Sequence, residues 1–189
     1  MNSNQIIIFA SGSGSNAENI VNYFSNKRSN HKWLICTNNP KARVIERAKK
    51  LQIDYKIFTK DELYNGSILN WMNSFNPELI ILAGFLLKFP IEIINVYNKK
   101  IVNIHPALLP KYGGKGMYGM NVHKAIIKNK EVVSGITIHY VNKKYDEGPI
   151  IFQKEIKINS SYTPNDLANK IHDLEMEYFP KIVENLLTL

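Results

Sequence analysis

Two short stretches of this chain, Gln5–Ala10 (QIIIFA) and Leu79–Leu82 (LIIL), are apolar almost throughout and do not alternate. A strand with one face in water alternates apolar and polar side chains, so unbroken runs of this length indicate strands covered on both faces. Such strands belong to parallel sheets held between helices. The segments between them agree. Gln5–Ala10 leads into SGSGSN, where Asn16 suits the cap of a helix running to about Phe24. His31–Thr37 (HKWLICT) forms a second strand, stopped by Asn38-Asn39-Pro40, and Ala42–Leu51 a helix with Val44, Ala48 and Leu51 on one side. Asp54–Phe58 is a short strand, and Asp61–Phe75 a helix with a soft point at Gly66-Ser67.

The second half changes character. Ile101–His105 is one more strand, Pro106–Gly119 a Pro/Gly-rich loop and Val122–Lys128 a short helix. Ser134–Val141 (SGITIHYV) and Pro149–Ile158 (PIIFQKEIKI) flank the polar stretch Asn142–Gly148, as an antiparallel pair does. Pro164–Leu187 is helical, with a bend expected at Pro180. The fold class is α/β: an open, mostly parallel twisted sheet, Rossmann-like, with helices on both faces and an antiparallel strand pair in the C-terminal part. Ligands of such sheets sit beyond the carboxyl ends of the strands. Functional residues are therefore expected after Ala10, after Leu82 and around residue 103.

Three places there suit chemistry. In Ser11-Gly12-Ser13-Gly14-Ser15-Asn16, glycines allow close backbone approach, while helix-start amides and hydroxyls supply donors for a phosphate. The same residues also suit a plain tight turn. A dinucleotide fingerprint is incomplete, because Ala17 stands three beyond Gly14, and NAD is not expected. In Asn103-Ile104-His105-Pro106, residues two apart share a strand face, so an amide donor and an imidazole project together. That pair suits oxyanion stabilisation combined with proton transfer. In Tyr145-Asp146-Glu147-Gly148-Pro149, a carboxylate from the connecting loop is available to orient His105 and raise its pKa, although Asp and Gly also simply make turns.

Composition narrows the partners. Counting charges, 24 Lys and Arg against 16 Asp and Glu leave +8, yet basic residues occur in pairs rather than blocks, which argues against a nucleic-acid arm. The single cysteine, Cys36, lies in an apolar run and reads as a buried small hydrophobe. His31, His123, His139 and His172 lack metal-ligand spacing, so no metal is expected. The start, Met1–Gln5, lacks the features of a signal peptide, and no apolar stretch approaches membrane-spanning length. The expectation is a soluble, cytoplasmic protein without membrane or nucleic-acid partners, monomeric or homodimeric.

SGSGSN at Ser11–Asn16, LAGF at Leu82–Phe85, NIHPALLPKY at Asn103–Tyr112, and GITIHYV with YDEGPII at Gly135–Ile151 together resemble the formyltransferase superfamily. Within it, the chain resembles the phosphoribosylglycinamide formyltransferases over nearly its whole length. The resemblance implies one domain over residues 1–189, with a phosphate-binding lobe at about 1–100 and a folate and catalytic lobe at about 101–189. It implies transfer of a formyl group from 10-formyltetrahydrofolate to the amine of phosphoribosylglycinamide, by direct attack through a tetrahedral intermediate. Asn103, His105 and Asp146 would be the catalytic trio, with His105 held protonated by Asp146. Gly14, Ser15, Asn16 and Glu175 would bind the ribonucleotide. Leu86, Leu87, Lys88, Phe89, Ile101 and Asn103 would bind the folate.

Two departures stand out. Leu87 occupies a position where some members carry Arg, and Gly113–Gly119 (GGKGMYG) is unusually glycine-rich and expected to be mobile. Relatives acting on methionyl-tRNA or an amino sugar nucleotide are the alternative. The tRNA enzymes add a C-terminal β-barrel for which a chain ending at Leu189 leaves no room, and a formylfolate hydrolase usually carries a preceding regulatory domain. A non-catalytic nucleotide-binding module would need Gly12 and Gly14 but not the trio.

Overall fold

The structure, a computed structural model, describes residues 4–188. Met1–Ser3, on which part of the signal-peptide reading rests, and Leu189 lie outside the described residues. Seven strands form one sheet in the order β3-β2-β1-β4-β5-β6-β7. They are β1 (Gln5–Phe9), β2 (Lys32–Thr37), β3 (Asp54–Ile57), β4 (Leu79–Leu82), β5 (Ile101–His105), β6 (Val133–Tyr140) and β7 (Ile150–Lys157). The first five run parallel; β6 is antiparallel to β5 and β7 to β6.

Seven helices are described: α1 (Ser15–Asn26), α2 (Val44–Lys50), α3 (Lys60–Tyr64), α4 (Ser67–Asn73), α5 (Ile91–Val96), α6 (Met120–Lys128) and α7 (Pro164–Leu187). They cover both faces. Ile6 and Ile8 of β1 pack with Ile20 of α1, Val44 of α2, Ile126 of α6 and Leu167 of α7. The intervening Ile7 and Phe9 pack on the other side with Leu63 of α3, Met72 of α4 and Ile93 of α5. Every side chain of β1 from Ile6 to Phe9 is fully buried, which is the physical reason its sequence does not alternate.

Several boundaries differ from expectation. Helix α1 begins at Ser15, and its cap is Gly14 at φ 73, so Asn16 lies inside the first turn and its side chain is free for other work. Asp61–Phe75 is two helices, because Gly66 takes φ 89 between them. Helix α5 was not legible: six residues behind Pro90 are too few to set up a helical period. Helix α7 continues through Pro180 without a break in its helical assignment.

Between β1 and β4 successive crossovers leave in opposite directions, and the loops after these strands open a crevice there. Ser11 stitches the two loops: its amide donates to the Gly84 carbonyl at 3.0 Å, and its hydroxyl accepts from the Leu86 amide at 3.1 Å and donates to Asn38 at 2.7 Å. Phe9 makes edge contacts with Phe85 and Phe89, at centroid distances of 5.4 and 5.1 Å, which fixes the course of the 85–89 segment.

The β6–β7 pair is tightest at Gly135, where an added Cβ would lie 2.0 Å from the Lys154 carbonyl oxygen. Gly135→Ala should therefore destabilise the protein by about 1–3 kcal/mol, read as a lower urea midpoint. Gly12→Ala, whose Cβ would meet nothing within 4 Å, should stay within about 0.5 kcal/mol.

Candidate active site

A cleft of about 580 Å³ lies at the carboxyl ends of β1, β4 and β5. Its walls bring together Gly12–Asn16, Leu86, Asn103, His105, Asp146 and Glu175, which are scattered over most of the chain. A smaller pocket of about 70 Å³ is lined by Leu87, Lys88, Phe89 and Val141, and shares Phe85, Asn103, Tyr145 and Asp146 with the cleft.

The amide, imidazole and carboxylate predicted from sequence meet here. Asn103 and His105 stand two apart on β5, and the antiparallel ladder puts His139 opposite Asn103 and Thr137 opposite His105. The Nδ1 of His139 donates to the Tyr140 carbonyl at 2.9 Å, so in the neutral ring its Nε2 accepts from the Asn103 amide at 3.1 Å. The second hydrogen of that amide nitrogen is available to a ligand. The Oδ2 of Asp146 lies 3.6 Å from His105 Nδ1, and its Oδ1 lies 3.6 Å from His139 Nε2. The Gly114 amide donates to Asp146 Oδ2 at 2.9 Å. Asp146 itself is left-handed at φ 54, a conformation an Asp tolerates better than most residues.

His105 is 3% exposed, and burial is the largest influence on it, holding its pKa below the usual 6.5. Asp146 and the Tyr112 carbonyl oppose burial without overcoming it. The expectation that Asp146 lifts His105 above its ordinary value is thus corrected: the resting ring is neutral. Its Nε2 donates to the Tyr112 carbonyl at 2.8 Å, leaving Nδ1 as the nitrogen that faces the carboxylate. For Asp146, burial pushes the carboxyl up, but the neighbouring His139 and His105 rings and the Gly114 amide together bring it below the ordinary value.

At the other end of the cleft, Asn16 Nδ2 donates to Glu175 Oε2 at 2.8 Å, joining α1 to α7 across 159 residues of chain. Leu86 is half exposed on the cleft wall. Leu87 packs in the small pocket, and the Lys88 ammonium beside it lies 5.6 Å from the centre of the Tyr145 ring. The charge missing at position 87 is present one residue later. Ile101 lies apart from the others. It shares a strand face with Asn103 but stands one pleat deeper, 1% exposed among Ile80, Phe89 and Ile93, and its side chain lines neither cavity. The glycine-rich segment is tied to the site by the Gly114 amide and by Asn121, which donates to the Gly116 carbonyl.

Sequence reasoning passed over two residues. His139 is reachable from the alternation of SGITIHYV once β6 is set beside β5. His123 of α6 is buried on the cleft wall, its Nδ1 has no hydrogen-bond partner among the described residues, and burial holds its pKa down. Nothing in its spacing marks it. Among the described residues, no group of three or more His, Cys, Asp or Glu is disposed to hold a metal ion, and no helix is long and apolar enough to cross a membrane.

Fold and site define a doubly wound α/β protein with a glycine-containing strand-to-helix turn at one end of its switch-point cleft and an amide–imidazole–carboxylate cluster at the other. The chain belongs to the formyl transferase family, whose sequence pattern matches residues 4–183. A phosphoribosylglycinamide formyltransferase of Bacillus subtilis (strain 168) is 35% identical over 189 residues, 96% of this chain and 94% of that protein. A chloroplastic phosphoribosylglycinamide formyltransferase of Arabidopsis thaliana is 34% identical over 95% of this chain. The chain spans 64% of that plant relative's length and 60% of its counterpart from Vigna unguiculata. The crystal structure of phosphoribosylglycinamide formyltransferase from Bacillus halodurans superposes with a TM-score of 0.87 at 31% identity, covering 97% of this chain and 95% of that one.

The buried histidines set a pH dependence. A lowered folded-state pKa means that the unfolded chain binds the proton first, so stability falls as pH drops below the unfolded value of about 6.5 toward the folded value. His172 runs the other way, since the Glu175 carboxylate, which accepts from its ring, raises its pKa. Comparison with His123→Gln isolates one contributor. Urea midpoints between pH 8 and pH 5.5 should fall less steeply in the variant, by up to about 1.4 kcal/mol per pH unit.

Proposed function

We propose that this protein transfers the formyl group of 10-formyltetrahydrofolate to the glycinamide amine of phosphoribosylglycinamide, a step of purine biosynthesis. The observation that carries this reading is the joining, in one cleft of a formyl transferase family member, of the Gly12–Asn16 turn with Asn103, His105 and Asp146. The names of the relatives point to the same acceptor. One domain with two lobes serves both substrates. The lobe of about residues 1–100 takes the ribonucleotide phosphate on Gly14, Ser15 and Asn16, and Glu175 reaches over from α7 to the ribose hydroxyls. A phosphate at a helix start meets free amides and the positive end of the helix dipole.

The residues present suit a folate. Leu87, Phe89 and Val141 make an apolar slot with Asn103 and Asp146 at its edge, as a flat heterocycle with polar margins requires. Leu86 and Lys88 flank its mouth, and Lys88 offers a cation to the anionic tail. Ile101 acts from beneath, by filling the core under Asn103. When bound, the folate supplies the activated formyl carbon.

Asn103 donates its second amide hydrogen to the formyl oxygen as that carbon becomes tetrahedral, where a positioned donor stabilises developing charge. His105 starts neutral, takes a proton from the attacking amine and passes it toward the departing folate nitrogen. Asp146 stabilises the imidazolium in between. Since Nε2 is engaged by the Tyr112 carbonyl and Nδ1 faces Asp146, proton transfer requires one of these contacts to be exchanged for substrate. We assign the reaction to the cytoplasm, with small-molecule substrates and all cleft groups supplied by a single chain. Two relatives are chloroplastic proteins by name.

Purified protein should formylate phosphoribosylglycinamide with 10-formyltetrahydrofolate and leave methionyl-tRNA and amino sugar nucleotides untouched. The reverse preference rejects the reading. His105→Ala should reduce kcat by a factor on the order of 10² or more. Asp146→Asn removes a group that favours the imidazolium, so the acid limb of the kcat/KM profile should move to lower pH. An unmoved profile would leave Asp146 with a role in loop shape alone.

A further inference from the structure

The loop that follows β1 is tied back at four successive carbonyls. The Ser11 oxygen accepts from Asn39 Nδ2 at 3.4 Å, the Gly12 oxygen from the Val44 amide at 3.2 Å, the Ser13 oxygen from Arg47 Nε at 2.8 Å, and the Gly14 oxygen from the Glu18 amide at 2.9 Å. The amides of Gly12, Ser13, Gly14 and Ser15 donate to no protein acceptor among the described residues. Four carbonyls anchored outward, with four amides left over, is the arrangement in which successive N–H groups make a concave anion receptor. Three of the anchors are backbone amides or a neutral side-chain amide. The fourth is a guanidinium.

Arg47 stands on α2, away from the cleft lining, and one side chain does two things. Its Nε holds the Ser13 carbonyl, while its Nη1 pairs with Glu18 of α1. Glu18 has a second cation nearby, Lys50, at 3.7 Å. The ion pair therefore has a partial substitute, whereas among the described residues the Ser13 carbonyl has no other donor. Ser13 lies between two glycines, Gly12 and Gly14, which place few steric limits of their own on the peptides that flank it. Gly14 is pressed so close to Val44 that a Cβ there would lie 2.3 Å from the valine methyl. Gly14 is thus fixed by packing and Ser13 by the arginine. If the 13–14 peptide flipped, a carbonyl oxygen would replace an amide hydrogen at the anion, and attraction would become repulsion.

We infer that Arg47 is a positioning residue for recognition of the phosphoryl group of the acceptor, acting through the Ser13 carbonyl to keep the loop amides turned into the cleft. The inference rests on the reading that Gly12–Asn16 takes the acceptor's phosphate. Its effect is on acceptor binding and on discrimination between the phosphorylated acceptor and its dephosphorylated nucleoside. It has no part in the chemistry at the formyl carbon, which lies at the Asn103 end.

Steady-state kinetics with both substrates varied tests it, using Arg47→Ala, Arg47→Lys and Glu18→Gln beside the wild-type protein. Arg47→Ala should raise KM for the phosphorylated acceptor on the order of tenfold or more, in line with loss of a charge-assisted hydrogen bond. It should leave KM for formylfolate unchanged and weaken inhibition by inorganic phosphate in parallel. Arg47→Lys, which keeps the charge and one donor, should recover most of that loss. Glu18→Gln breaks the ion pair but keeps the Ser13 tie, so its acceptor KM should stay close to wild type. Two results overturn the inference: an Arg47→Ala protein with unchanged acceptor KM and phosphate inhibition, or a Glu18→Gln protein as impaired as Arg47→Ala. Failure of the underlying reading looks different, since the wild-type protein would then show no competition between inorganic phosphate and the acceptor.

Discussion

The antiparallel ladder between β5 and β6 is the constraint on which the site depends. Up to β5 every strand runs the same way, and each ends with its side chains at one edge of the sheet. The reversal at β6 sets its residues directly across from those of β5, so Asn103 faces His139 and His105 faces Thr137. Thr137 is fully buried, and its hydroxyl donates to the Ala107 carbonyl at 2.7 Å and accepts from the Leu109 amide at 3.0 Å. Gln153 of β7 adds donors to the Thr137 hydroxyl and the Leu109 carbonyl. The chain leaving His105 is therefore fixed for its first turn. From there it can return the Tyr112 carbonyl to His105 Nε2. A shift of one residue in the ladder would turn every one of these side chains to the opposite face.

Electrostatics at the cluster follow from burial acting against proximity. A carboxylate 3.6 Å from an imidazole favours the charged ring, yet taking the ring out of water disfavours it, and here burial is the larger of the two. The balance suits the proposed proton transfer. A neutral ring beside a carboxylate can accept a proton and find the resulting charge already compensated, with little reorganisation needed at that moment. Asp146 has the opposite balance: two imidazoles and the Gly114 amide outweigh its burial, which keeps it ionised as the fixed charge of the group.

What could be read from the sequence divides along physical lines. Continuous apolar runs gave β1 and β4 to within a residue, since a strand buried on both faces leaves no other pattern, and the period of two put Asn103 and His105 on one face. Backbone conformation at single residues was less legible. Gly14 takes the cap position expected of Asn16 because Val44 presses on its Cα, a contact between residues 30 apart. Release from capping gives Asn16 to Glu175; the family resemblance assigned both residues to the ribonucleotide, but their hydrogen bond to each other could be read neither from it nor from local pattern. Ile101 shows the limit of a face assignment: parity gives the side of the sheet but not the depth, and one pleat separates cleft from core. The pKa of His105 was misjudged for a related reason, because a charge partner is visible in a motif and the degree of burial is not.

The two ends of the cleft are held by different means, and this bears on how each responds to a ligand. At the Asn103 end the groups stand on strands or are bonded to them, apart from Asp146, which reaches in from a loop and is tethered by Gly114 of another loop. His105 Nε2 is covered by the Tyr112 carbonyl and Nδ1 faces Asp146, so on the proposed function this end opens by exchanging one of these contacts for another. At the other end nothing needs to be exchanged, because the Ser11–Gly14 carbonyls already have protein partners and the amides of Gly12–Ser15 have none among the described residues. On the proposed function, therefore, an anion is received there at small conformational cost, whereas exposing the imidazole at the Asn103 end costs one hydrogen bond, which the free energy of substrate binding there has to offset.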